Sequence, residues 1–193
     1  MITKEAVVQR CERTREELWA RIIKVVTPFL PDTLRFRLRM GEVSGLEIIT
    51  TSSEEVIWAF EYRYKISFFA AGDDERALAS EEAILAIHGE GEVLETRLVF
   101  EDQESAIRNL CARLLAREPF VQYEWIRDTY DSEKFHLMAD DKKVQSIWRI
   151  SPTSKKWGSL MGITFDSKLS AMGEALRSSI YMRASELTSR LLA

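Results

Sequence analysis

The sequence predicts an α+β fold, an antiparallel sheet of about six to eight strands with N-terminal, central and C-terminal helices packed on it. Two alternating stretches argue for the sheet. Between Val56 and Phe69, Trp58, Phe60, Tyr62, Tyr64, Ile66 and Phe68 alternate with Ile57, Ala59, Glu61, Arg63, Lys65 and Ser67, so a pleated strand places aromatics on one face and charges on the other. Between Leu34 and Met40, four apolar residues alternate with Arg35, Arg37 and Arg39 in the same way. A sheet with one charged face needs cover on the other face only, which is an antiparallel habit. The third observation supplies that cover: three segments carry apolar residues at helical spacing.

In chain order, Thr3 caps a helix running to about Val26, with Val7, Val8, Cys11, Leu18, Ile22, Val25 and Val26 on one face and Pro28 stopping it. Arg15 falls near the centre of that stripe, where a guanidinium needs a carboxylate, a route to water or a partner surface. The strand from Leu34 to Met40, a turn over Gly41 to Gly45, a strand from Leu46 to Thr51, a turn over Ser52 to Glu55 and the aromatic strand make a meander. Ala70 to Glu82 reads as a loop holding at most a helical turn. Ala83 to His88 and Val93 to Phe100 are strands flanking Gly89-Glu90-Gly91, a hairpin turn in which glycine accepts positive φ. Asp102 caps a helix marked by Ile107, Leu110, Cys111, Leu114 and Leu115 that ends before Pro119. Candidate strands follow at Phe120 to Ile126, Lys134 to Met138 and Val144 to Ile150. Ser151 to Gly162 is the longest polar, breaker-rich stretch and reads as a mobile surface loop. The final helix spans about Asp166 to Leu192, its stripe made of Leu169, Met172, Leu176, Ile180, Ala184, Leu187 and Leu191, with Arg183 at the stripe's edge. No repeat and no long linker appears, so residues 1–193 are expected to form a single α+β domain.

With 46% hydrophobic and 30% charged residues, the composition is that of an ordinary globular chain, without the low hydrophobicity of disorder. The N-terminus passes into Lys4, Glu5, Arg10, Glu12 and Arg13 with no apolar core, and no run of about 18 apolar residues occurs, so a cytoplasmic protein with no membrane partner is expected. Cys11 and Cys111 both lie on apolar helix stripes and read as core thiols. The net charge of −4 is unevenly spread: eleven acidic residues between Ala71 and Ser105 face only Arg76 and Arg97, whereas nine Lys/Arg from Lys142 onward face Asp166, Glu174 and Glu186. Such polarity positions a partner or steers an anion toward the C-terminal part.

No motif selects a chemistry. His88, Glu90 and Glu92 would share one face of a continuous strand, but the intervening glycines favour a turn. Asp32 with Glu61, Arg63 and Lys65 resembles, thinly, the two-carboxylate-and-lysine arrangement of metal-dependent nucleases. Here the spacing is wrong and Arg63 stands at the lysine place. No Gly-x-Ser-x-Gly elbow is present. Lys155-Lys156-Trp157-Gly158-Ser159 offers cations and hydroxyls to an anion without the glycine spacing of a phosphate loop. Arg35, Arg37 and Arg39, with Arg63 and Lys65, form a basic sheet face open to nucleic acid, although cross-strand pairing with Glu47 and Glu61 is the simpler use. No metal, cofactor or catalytic residue is therefore expected.

The element order, a helix, a meander, further strands, a helix, strands and a last helix, resembles the α+β layout of small acidic secretion chaperones. That resemblance, of element order alone, implies binding of a partner's unfolded segment and dimerisation. The expected function is a non-catalytic protein-interaction or chaperone-like module that self-associates, with Arg15, Arg183, Lys155, Lys156 and Trp157 as binding residues. Hydrolysis of an anionic substrate, metal-dependent and using carboxylates of the acidic middle with Lys155 or Lys156, and nucleic-acid binding are the alternatives.

Overall fold

The computed structural model describes residues 4–39, 45–65 and 82–193. The Thr3 cap, most of the Gly41 to Gly45 turn, the end of the aromatic strand and the Ala70 to Glu82 loop lie outside the described residues. The chain divides into two compact units, Met1–Leu114 and Leu115–Leu191. Each holds a five-stranded antiparallel sheet with its strands in sequence order. The α+β class and the antiparallel pairing thus stand, while the single sheet of six to eight strands is corrected to two sheets of five. The reason is local: every strand pairs with its chain neighbour, and the helix between the fifth and sixth strands ends the first meander before a second begins.

In the first unit, α1 (Lys4–Val26) buries Cys11, Leu18, Trp19, Ile22 and Val26, and a 3-10 turn over Thr27–Phe29 carries Pro28 where the helix stops. The sheet follows as β1 (Leu34–Arg39), β2 (Gly45–Thr50), β3 (Val56–Lys65), β4 (Glu82–Gly89) and β5 (Glu92–Leu98). Its register aligns apolar residues in rows: Leu46, Phe60, Ile87 and Leu94 stand side by side, all buried. Of the aromatic face, Trp58 and Phe60 are buried, Tyr62 is half-buried and Tyr64 is exposed at the margin, its ring 5.7 Å from that of Tyr62. Glu90 and Gly91 turn β4 into β5, with Gly91 at φ 70° supplying the left-handed conformation. A 3-10 turn over Phe100–Asp102 leads into α2 (Gln103–Leu115), which buries Ile107, Leu110, Cys111 and Leu114. Arg21 donates to Gln103 Oε1 (3.2 Å) and Arg113 to the Glu95 carbonyl (3.2 Å), tying α2 to α1 and to β5. Burial pushes the Cys111 thiol up to about 12, so it stays a neutral core group.

In the second unit, β6 (Tyr123–Arg127), β7 (Lys134–Ala139), β8 (Lys142–Arg149), β9 (Trp157–Ser159) and β10 (Thr164–Phe165) precede α3 (Lys168–Leu192). Ser167 caps α3, its Oγ accepting the Ser170 N–H at 3.1 Å. The segment Ser151 to Gly162 is not the loop its composition suggests, because Trp157–Ser159 adds a strand against β8. The expected stripe of α3 holds at Ala184 and Leu187, both buried, and is corrected at its start: Leu169 is 80% exposed, and Ala171, Ala175 and Ser179 are buried instead. The cause is size: the sheet presents Trp125, Phe135, Trp157 and Phe165 around Ile147, and only small side chains let a helix backbone come close to rings of that bulk.

Candidate functional site

Three constellations carry polar chemistry, and the largest is the charged face of the first sheet. Register places Arg37, Glu47, Ala59 and His88 in one row, with Gly45, Glu61, Ala86 and Glu95 in the next. Glu47 is buried, and its Oε2 accepts from Arg37 Nε (2.9 Å) and Nη2 (2.8 Å), while Arg39 stands 3.8 Å from Oε1. Arg35 pairs with Glu54. Glu61 Oε2 accepts from Arg63 Nη2 and from His88 Nε2, each at 2.9 Å, and Arg63 reaches Glu95 at 3.5 Å. The Arg63 hydrogen bond, with smaller help from His88, holds the Glu61 carboxyl below its ordinary range. Gly45 and Ala59 leave a depression of about 320 Å³ between Glu47, Glu61, His88 and Arg39. The expected cross-strand use is thus observed at Glu47, with Arg37 and Arg39, whereas the arginine on Glu61 comes from its own strand. The described part of this face carries no Phe, Tyr or Trp on which a base would stack. Glu90 lies in the turn after β4, so His88, Glu90 and Glu92 do not share a strand face.

The second constellation was invisible in the sequence. His136 and Ser146 are directly opposed on β7 and β8, with Nδ1 2.8 Å from Ser146 Oγ, and His136 Nε2 lies 2.7 Å from Asp128 Oδ2. Residues eight and ten apart match no motif, and only the hairpin register brings them together. The chemistry resembles a Ser–His–Asp relay, yet the arrangement serves structure. Ser146 is buried within a strand, and Asp128 spends its other oxygen on the N–H groups of Tyr130 (2.9 Å) and Asp131 (3.0 Å). A nucleophile needs an approach path and donors for the oxyanion, whereas this chain pins the β6–β7 turn to the sheet. The His136 hydrogen bond, then those two backbone N–H groups, lower Asp128 from 3.8 to about 2. A depressed carboxyl contributes stability that is fully present above its unfolded value and lost as pH falls through its folded one. Thermal midpoints measured downward from about pH 5 should therefore drop most between about pH 4 and pH 2. Asp128→Asn should start lower and flatten that window; an unchanged acid profile would show that the contact contributes nothing.

Within the second unit, Arg183 lines a cavity that Lys155, Lys156 and Trp157 do not share. Arg15 is half-buried on α1 in the first unit and makes no ion pair among the described residues. Lys155 and Lys156 are exposed ahead of β9. Trp157 is half-buried beside Phe135, ring centroids 6.0 Å apart, with Lys168 Nζ 3.4 Å above the Phe135 ring. Arg183 belongs to the third constellation, a cavity of about 390 Å³ between the β7–β8 turn and α3. Its guanidinium meets Asp140 at 3.1 Å, and Lys142, Glu186 and Arg190 share the lining. Asp140 was missed because its role depends on the turn it occupies, which pattern alone does not reveal.

No protein-family model matches the chain, and neither a curated protein nor a solved structure matches it.

Proposed function

We propose that the protein is a non-catalytic, self-associating interaction module that holds a partner through exposed apolar side chains and polarised charge. The observation that carries this reading is the apolar surface of the second unit. Leu160, Met161 and Ile163, in and beside the β9–β10 turn, are all exposed, as are Leu169, Tyr181 and Met182 on α3. Three large apolar side chains exposed on one short turn form a local apolar surface of the kind that marks contact sites in soluble proteins. The reading extends to both units acting as one cooperative, cytoplasmic domain. Its element order adds weight through the resemblance to secretion chaperones, which bind partners and dimerise.

The alternatives draw less support. The hydrolase reading has His88 and Glu61 in one depression, but the Glu61 carboxylate is already engaged by Arg63 and His88. The nucleic-acid reading loses Arg35, Arg37 and Arg63 to ion pairs. Sedimentation velocity across a concentration series should show mass rising above the 22.3 kDa of one chain. Replacing Leu160 and Met161 together by aspartate should return it to the monomer. A wild type that stays monomeric at every concentration ends the self-association part of the reading.

A further inference from the structure

Arg183 stands on the row Ala171, Ala175, Ser179, Arg183, Leu187, whose other four side chains are buried. Its guanidinium meets one carboxylate oxygen, Asp140 Oδ2 at 3.1 Å from Nη2, while the adjacent Nε–H is buried with no acceptor among the described residues. Nε and Nη2 share one edge of the guanidinium, the fork that fits the two oxygens of a carboxylate, and Asp140 engages one prong only. A buried donor left unmatched costs stability and calls for a cause.

Asp140 is itself placed oddly. With Asp141 it forms the β7–β8 turn, both at positive φ, 47° and 64°, a conformation that asparagine and glycine adopt more readily. Its Oδ1 accepts the Gln122 N–H at 3.2 Å, a bond that an asparagine oxygen would make equally well. What asparagine would lack is the negative charge facing Arg183. The cavity opens beside this half-made pair, flanked by Lys142 and Arg190, neither in an ion pair among the described residues, with Val144 and Leu187 giving it an apolar side.

We propose that the cavity between the β7–β8 turn and α3 binds a carboxylate-bearing peptide segment of a partner, whose carboxylate takes the Nε–Nη2 edge of Arg183 in place of Asp140. Asp140 is then a resident stand-in for the ligand. Lys142 and Arg190 add long-range attraction, and an aliphatic side chain of the peptide covers Val144 and Leu187. Glu186 in the same lining opposes a second negative charge, so the cavity favours a single carboxylate over a doubly charged phosphate. The assignment rests on the protein-interaction reading above.

Fluorescence polarisation on the full chain tests it, with a labelled peptide carrying one glutamate flanked by leucines and its glutamine counterpart as probes. The glutamate peptide should bind and the glutamine peptide should not. Arg183→Lys keeps the charge but loses the fork, and should weaken binding by about tenfold. Asp140→Asn suits the turn, keeps the Gln122 bond and removes the competitor, so it should tighten binding by about threefold or more. Equal binding of both peptides overturns the proposal. Displacement of the peptide by an equal concentration of inorganic phosphate also overturns it, in favour of a free-anion site. Glutamate-peptide binding that ignores both substitutions removes this site and leaves the interaction reading standing, whereas a chain that neither self-associates nor binds peptide removes both.

Discussion

Replacing Phe60 by alanine is expected to cost about 3–5 kcal/mol of folding stability, the range for truncating a buried aromatic side chain. Phe60 is 2% exposed in β3 and lies between Leu46 and Ile87, both fully buried, so the lost ring has no route by which water can fill its place. Two costs add: the transfer free energy of the ring and the unfilled space its rigid neighbours cannot close. Leu38→Ala is the internal control. That residue, on the outer strand of the same sheet, is 56% exposed, and its truncation should stay within about 0.5 kcal/mol. Urea denaturation of both variants with tryptophan fluorescence decides it; a Phe60→Ala midpoint equal to that of the parent would mean that the aromatic face of β3 is not the core.

What the sequence revealed and what it hid divide along one physical line. Alternation and helical spacing are properties of a single segment, and they identified the start of β3, and β1, α1 and α2, to within a few residues. Properties of two segments at once stayed hidden. The end of one sheet and the start of another depends on which strands pair, and nothing in a strand's own residues states that β6 pairs with β7 alone. The stripe of α3 was legible only in part for the same reason: Met172, Ala184 and Leu187 do face the core, but Leu169 is exposed and the aromatic sheet takes Ala171 and Ala175, which an isolated helix does not single out. The site followed suit. Arg183 was singled out because a cation on an apolar stripe is anomalous within one helix. Its partner Asp140 and the Asp128–His136–Ser146 chain appear only once hairpin register is known. Charge pairing on the first sheet was legible in part: Arg37 and Arg39 of β1 meet Glu47 of the neighbouring β2 in an inferred meander, whereas Glu61 is met by Arg63 of its own strand and by His88.

Gly89→Ala is expected to destabilise the protein by about 1–3 kcal/mol, the usual cost of forcing extra volume into a packed interior. The sign is the informative part, since glycine to alanine within an element otherwise gains about 0.5–1 kcal/mol from reduced backbone freedom. Gly89 ends β4 directly opposite Trp58, and a Cβ built there would lie 2.5 Å from the indole ring. Trp58 is 5% exposed, so its ring is packed against protein rather than free to move into solvent. The sheet thus lays an indole across a cross-strand glycine, which fills the space a side chain would have occupied and protects the exposed backbone. The second sheet repeats the device: Gly158 on β9 is opposite Trp148 on β8, with a built Cβ 3.2 Å from the ring, so Gly158→Ala should cost less than Gly89→Ala. If the clash is the cause, the penalty at Gly89 must vanish when the ring is removed. Chemical denaturation of Gly89→Ala in wild-type and Trp58→Leu backgrounds measures this as a coupling energy, expected at about 1 kcal/mol or more for groups in direct contact. Additive effects would place the cost in the backbone of residue 89 and release Trp58 from the role assigned to it.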